Sequence, residues 1–159
     1  MVHQPPQIRN SAKALILRDN AILLQRCRIA GKIVYLLPGG TQEFGESFAD
    51  AVQREVLEET GMRIDVGRLI WVREFITSHH IPVEGAGEHV VECIFHCTPR
   101  IGAAIGVATV PDAAQVDVSW VPLADLAAIT MWPETIQRLV IANTGTGFDL
   151  APSYLGDCP

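Results

Sequence analysis

The chain has 159 residues, 48% of them hydrophobic and 19% charged, with a net charge of −6. That length suits one domain with a real core, and that balance excludes a disordered chain. The acidic excess leaves no basic stripe for sequence-independent nucleic-acid binding, and no apolar run approaches a membrane span.

The opening Met1-Val-His-Gln-Pro-Pro has neither the basic nor the apolar part of a secretory leader, so no signal peptide is expected. Cys27, Cys93, Cys97 and Cys158 form no C-x-x-C pair. Cys93 and Cys97 would share a strand face but lie too far apart along it to be bridged. Free thiols and a cytoplasmic location are the expectations.

Ala12 to Leu17 and Ala21 to Gln25 are apolar, strand-like runs, and Arg18-Asp19-Asn20 between them reads as a hairpin turn. Arg26 to Lys32 reads as a basic loop. It is either simply solvated or, through Arg28, a contact to a phosphate-bearing ligand or its distal group. Ile33 to Leu37 is a third strand, on which Tyr35 either packs half-buried or stacks on a base. Pro38-Gly39-Gly40 follows as a turn whose backbone can approach a ligand closely.

Ser47 to about Thr60 is predicted helical. Ser47 with Asp50 makes an approximate capping box, and Gly61 can take the left-handed conformation that ends a helix. Phe48, Ala51, Val52 and Val56 form an apolar side. Glu55, Glu58 and Glu59, at i, i+3 and i+4, share another side, where like charges cost a few tenths of a kcal/mol per pair. A solvated acidic face is the plain reading of such a run. A hard divalent cation bound through oxygen would offset the repulsion, and magnesium takes few carboxylates because phosphate oxygens and waters complete its shell.

Gly40, Glu46, Arg54, Glu55, Glu58, Glu59 and Gly61 stand at the spacings of the Nudix box, G-x5-E-x7-R-E-U-x-E-E-x-G-U, with Val56 and Met62 at the bulky aliphatic U positions. The chain therefore resembles the Nudix hydrolase family, with no departure inside the box.

Beyond Gly61, Met62 to Val66 reads as a short strand and Leu69 to Thr77 as a longer one. On the latter Leu69, Trp71, Arg73 and Phe75 fall on one face and Ile70, Val72, Glu74 and Ile76 on the other. Phe75 is a third candidate substrate contact beside Arg28 and Tyr35. Ser78 to Gly87 is a loop. His79 and His80 open it without a third ligand for zinc, so they are substrate contacts or ordinary loop histidines. His89 to Cys97 is a central-looking strand on which Glu92, among apolar neighbours, needs a partner or a metal.

Thr98 to Ala114 is weakly patterned and reads as a loop with at most one short edge strand. Val116 to Val121 is a strand, Pro122 to Leu126 a short helical turn, and Pro133 to Ala142 a helix with proline in its first turn. Asn143 to Pro159 is Gly-rich and reads as a tail.

Strands alternating with two helices suggest a mixed sheet covered on both faces. The resemblance implies the same α/β/α sandwich over roughly Ala12 to Ala142, in one domain spanning 1–159. It also implies hydrolysis of a diphosphate linkage in a nucleoside diphosphate derivative, with Mg²⁺ or Mn²⁺ as cofactor. Glu55, Glu58 and Glu59 would be metal ligands with the Gly40 carbonyl, and Arg54 would pair with Glu46 and so orient Glu55. The general base would be Glu59 or, outside the fixed positions, Glu43, Glu84, Glu88 or Glu92. Neither the proline that marks ADP-ribose hydrolases, expected near Thr77, nor the tyrosine of dinucleoside polyphosphate hydrolases, expected near Ser78 to His80, is present, so the substrate stays open. The alternative is a non-catalytic nucleotide-sensing domain. A purely assembling domain would use the apolar Ile101 to Val110 but leave the glutamates unexplained. A homodimer is compatible with each reading.

Overall fold

The computed structural model describes residues 7–82, 87–146 and 153–159. Nine strands, three α-helices and one 3₁₀ segment follow in chain order among those residues. They are β1 (Ile8–Arg18), β2 (Ala21–Ile29), β3 (Lys32–Leu36), β4 (Gly39–Thr41), α1 (Phe48–Thr60), β5 (Ile64–Ile76), α2 (Thr77–His80) and β6 (His89–Pro99). Then come β7 (Gln115–Pro122), the 3₁₀ segment (Leu123–Ala128), β8 (Met131–Trp132), α3 (Glu134–Asn143) and β9 (Tyr154–Asp157). The main sheet runs β8-β3-β2-β1-β6-β5-β9, with β4 added on β1 and β7 on β2. The β1–β6, β3–β8 and β5–β9 pairs are parallel and the others antiparallel, so the sheet is mixed as expected.

Strand β1 shows why helices cover both faces. Successive side chains on a strand point opposite ways. Ala12, Ala14 and Ile16 enter a core with Ala51, Val52 and Val56 of α1. Leu15 enters a second core with Trp71, Ile94, Leu126, Ile136 and Val140, under the 3₁₀ segment and α3. Phe48 is only half-buried at the edge of the first core, so the fully buried stripe of α1 is Ala51, Val52 and Val56.

Both early hairpins close through two residues at positive φ, the arrangement that suits strand twist. Asp19 and Asn20 (φ 50° and 57°) join β1 to β2, and Ala30 and Gly31 (φ 49° and 79°) join β2 to β3. The expected basic loop is thus corrected. Arg26 and Arg28 are strand residues, and Arg26 pairs with Asp117 of β7 at 3.0 Å.

The expected strands at Met62–Val66 and Leu69–Thr77 are one strand, β5, with pairing irregularities around Leu69. Leu69 lies opposite Phe95 whereas Trp71 lies opposite Ile94, so Ile70 is an extra residue that reverses the alternation. Leu69 is consequently exposed while Trp71 is wholly buried. The expected tail also needs correction, because Tyr154–Asp157 forms β9 along the β5 edge. Thr77, expected to end a strand, and Ser78 to His80, expected as loop, form a single helical turn.

All four cysteines are free. Burial pushes the Cys27 thiol up to about 11 and the Cys97 thiol up to about 12, which keeps both protonated and unreactive.

Both ends of α1 are capped. At its start the Ser47 hydroxyl accepts from Asp50 N–H and the Asp50 carboxylate accepts from Ser47 N–H, the expected capping box. At its end Gly61 N–H makes the last helical bond, to the Leu57 carbonyl at 2.9 Å, and the carbonyls of Glu58, Glu59 and Thr60 lack helical partners. These three accept from Thr109 N–H, Gln115 Nε2 and Gly106 N–H respectively, at 2.8, 2.9 and 2.9 Å. The apolar segment 101–110, offered above as the surface of an assembling domain, thus supplies backbone N–H groups that terminate the helix. Gly61 lies at φ 67°, and a Cβ there would come within 2.7 Å of the Gly106 backbone. Gly61→Ala should accordingly destabilise the fold by about 2–4 kcal/mol, from left-handed strain plus the clash. Gly102→Ala, at a similar φ in open space, should cost about 1 kcal/mol. Chemical denaturation of the two variants checks the ordering.

Candidate active site

Arg54 is the hub of the carboxylate cluster. Its Nε and Nη2 donate to the two oxygens of Glu46 at 3.2 and 2.7 Å. Its Nη1 donates to Glu55 Oε1 at 3.0 Å and Glu58 Oε2 at 3.3 Å, and Nη2 reaches the Thr41 carbonyl at 3.0 Å. Glu46 also accepts from the Glu43 N–H at 2.7 Å. The Arg54 guanidinium, followed by that backbone N–H, holds Glu46 below the usual carboxylate range. Hydrogen bonding to Glu46 in turn keeps Arg54 protonated.

Gly40 matters for the space it leaves. A Cβ there would lie 2.5 Å from the Glu55 carboxyl carbon, so the carboxylate rests where only glycine permits it. The Gly40 carbonyl accepts from Ser11 Oγ at 3.0 Å, and Gly40 pairs with Ala12 in the β1–β4 ladder.

Glu59 differs from its neighbours. It is buried, and its Oε2 accepts from Gly39 N–H at 2.8 Å. Burial raises its pKa, opposed first by the Lys13 charge and then by hydrogen bonds from Gln25 and Gly39. Lys13 Nζ donates to the Gly39 carbonyl. The two ends of one glycine thus touch Glu59 and Lys13. Gly39 itself has φ 128°, and a Cβ there would collide with the Ala12 carbonyl at 2.2 Å.

Lys13 also lines a cleft of about 580 Å³ on the α3 side of the sheet. Leu36, Phe75, Ile94 and Trp132 give it apolar walls, while Arg73, His80, Glu92, Glu134 and Arg138 supply polar groups. Glu92 has the partner its surroundings demand, since Arg73 Nε donates to its Oε2 at 2.6 Å.

The expected site residues fall into two groups. Glu46, Arg54, Glu55 and Glu58 are joined directly, and Glu59 and Gly40 border them. Phe75 lines the cleft. Arg28 is exposed on β2 and Tyr35 packs against the core under α3, and neither lines the cleft. Glu43 is exposed, Glu88 is exposed and pairs with Arg9 at 3.6 Å, and Glu84 lies outside the described residues. The sequence reading missed Lys13 and Trp132. The first had a signal, as the single cation inside the apolar run Ala12 to Leu17.

As the side chains stand, no three His, Cys, Asp or Glu among the described residues could hold a metal ion. Arg54 occupies part of the space between Glu55 and Glu58. The donor chemistry nevertheless fits a hard divalent cation. Glu55 Oε2 and Glu58 Oε1 accept no hydrogen bond from the described residues, and with Glu59 and the Gly40 carbonyl they form an all-oxygen set.

Residues 7–141 match the NUDIX domain model. The chain belongs to the NUDIX family. It is 33% identical over 98 residues to a MutT-like protein of Streptomyces ambofaciens, covering 62% of this chain and 56% of that one. It is 28% identical over 109 residues to the human 8-oxo-dGDP phosphatase NUDT18, covering 69% of this chain and 30% of that one. The chain therefore spans about a third to a half of the length of the curated relatives it matches. A NUDIX hydrolase structure from Nitrosomonas europaea superposes with a TM-score of 0.68 at 22% identity, covering 87% of this chain and 90% of that one, which supports the fold.

Because burial raises the Glu59 pKa, its protonated form favours the folded state. The stability it contributes is present below the unfolded carboxylate range and is lost as pH rises through the folded value. With a chelator present, Glu59→Gln should therefore melt higher than the parent at pH 7.5, and the gain should vanish near pH 3. Thermal melts across that range check it.

Proposed function

We propose that the chain hydrolyses the diphosphate linkage of a nucleoside diphosphate derivative, using Mg²⁺ or Mn²⁺. The observation that carries this reading is the convergence of Glu46, Glu55 and Glu58 on Arg54, beside a buried Glu59 whose Gly39 contact adjoins the cleft. Without a cation the cluster would repel a diphosphate. Glu55, Glu58, Glu59 and the Gly40 carbonyl are the groups that would hold one. When bound, such an ion neutralises phosphate charge and makes water more acidic.

The side chains then divide the work. Glu46 anchors Arg54, and Arg54 fixes the rotamers of Glu55 and Glu58. Lys13, between cleft and turn, meets the anionic end of the ligand. Water attacks one phosphorus, the bond from that phosphorus to the bridging oxygen breaks, and the departing phosphate takes the oxygen with its electron pair. Glu59 is the favoured acceptor of the water's proton, as the buried carboxylate of the cluster held by Gly39 N–H beside the cleft, and in that role it leaves Glu55, Glu58 and the Gly40 carbonyl to hold the ion. Glu43 and Glu88 stand exposed, and Glu92 is committed to Arg73. The cleft would seat the moiety attached to the diphosphate, with Phe75 and Trp132 offering faces to a planar ring. The nucleotide substrate named for the human relative supports a nucleotide here.

The test is a screen of nucleoside diphosphate derivatives with Mg²⁺ or Mn²⁺, reading phosphate released after a coupled phosphatase. Turnover should require the ion. Glu58→Gln should lower kcat by about 10²-fold or more with the melting temperature nearly unchanged. Nucleotide binding without turnover under every ion would favour the sensing alternative.

A further inference from the structure

The segment 153–159 is fastened to the rim of the cleft by contacts the reaction does not use. Its backbone joins β5 through Val72 N–H to Ser153 O at 2.6 Å and Cys158 N–H to Glu74 O at 3.1 Å. Tyr154 donates its hydroxyl to Glu74 at 2.7 Å. Between these, Val72 faces Tyr154 and Glu74 faces Asp157, so β9 carries one extra residue. Gly156, at φ 74°, absorbs it as a bulge.

The bulge turns Asp157 inward. Its carboxylate meets His79 Nδ1 and His80 Nε2, each at 2.8 Å, and accepts from Ile76 N–H at 3.0 Å. Those contacts, the one with His80 foremost, draw the carboxyl down to about 2, so Asp157 is ionised throughout the working range. His80 lines the cleft and stacks on Phe75, which lines it too, with ring centroids 5.5 Å apart and planes 7° from parallel. Further along, Arg73 Nη1 donates to the Cys158 carbonyl at 2.5 Å while its Nε holds Glu92. Pro159 lines the cleft, and its carbonyl accepts from Thr135 Oγ1 at 3.5 Å, across to α3.

We propose that segment 153–159 is the selectivity wall of the cleft, and that Asp157 is the positioning residue that docks it. Asp157 sets the His80–Phe75 stack, and the docked segment steadies Arg73 and thereby Glu92. The wall thus shapes the pocket for the moiety on the diphosphate without touching the reacting phosphorus. This rests on the reading of the cleft as that moiety's seat.

The experiment compares the full chain with Asp157→Ala and Tyr154→Phe, using GDP, UDP and ADP-ribose as hydrolysis probes. GMP, UMP and AMP, which have no diphosphate bond, serve as binding probes read by tryptophan fluorescence. For Asp157→Ala, KM should rise about tenfold with kcat within about twofold, and the preference between best and worst probes should narrow. Tyr154→Phe should move the same quantities in the same direction by less, and it carries the test if Asp157→Ala does not fold. Unchanged KM and preference overturn the proposal, as does a loss confined to kcat. If the parent binds monophosphates but hydrolyses none of the probes, the hydrolase reading fails while the variants' binding constants decide the wall. Absence of monophosphate binding by the parent overturns the wall.

Discussion

Glu55, Glu58 and Glu59 place three carboxylates within little more than one helical turn, and the strain of that arrangement has to be met from outside the helix. The repulsion is modest, a few tenths of a kcal/mol for each pair. Val52 and Val56 are each wholly buried, worth about 1.5–3 kcal/mol apiece relative to exposure. The apolar side of α1 therefore outweighs its acidic side several times over. Arg54 then sets the direction of the carboxylates, spreading one planar cation over Glu46, Glu55 and Glu58. Packing keeps the helix in place, and charge pairing determines where its side chains point.

The helix and the cleft belong to opposite faces of the sheet, yet they meet at one peptide segment. Strand β1 sends alternate residues to the two sides, so Ala12 and Ala14 lie under α1 while Lys13 enters the cleft. Gly39, paired with Lys13 across β4, is bonded to Lys13 through its carbonyl and to Glu59 through its N–H. Only a residue without a side chain fits so close to the Ala12 carbonyl. Under the proposed function, a ligand seated on one side would present its anionic end at this seam to carboxylates carried on the other.

What the sequence disclosed was mostly local. Ser47 with Asp50, the apolar spacing to Val56 and the stop at Gly61 lie within one short stretch, and each depends on neighbours a turn or so away. The carboxylate cluster was legible for the same reason, being written on one helix and its leading turn. The Arg73–Glu92 pair was half visible, in that Glu92 plainly needed company, but its partner sits 19 residues away on another strand. Leu69 misled because one extra residue at Ile70 reverses a period of two. Asp157 gave no signal, since its meaning comes from His79 and His80, 78 and 77 residues earlier. The role of the 101–110 segment was hidden likewise, because its contribution is backbone N–H groups rather than side chains.

The parallel ladder that joins Ile8–Ile16 to His89–Cys97 has a bearing on biosynthesis. The nascent chain cannot cover the second edge of β1 until β6, which ends at Pro99, has left the ribosome, so β1 waits beside its hairpin partner with one edge open. Pairings of such long sequence separation are slow to form, and unpaired edges are sticky. The interval before β6 emerges is thus when this protein has most need of a chaperone.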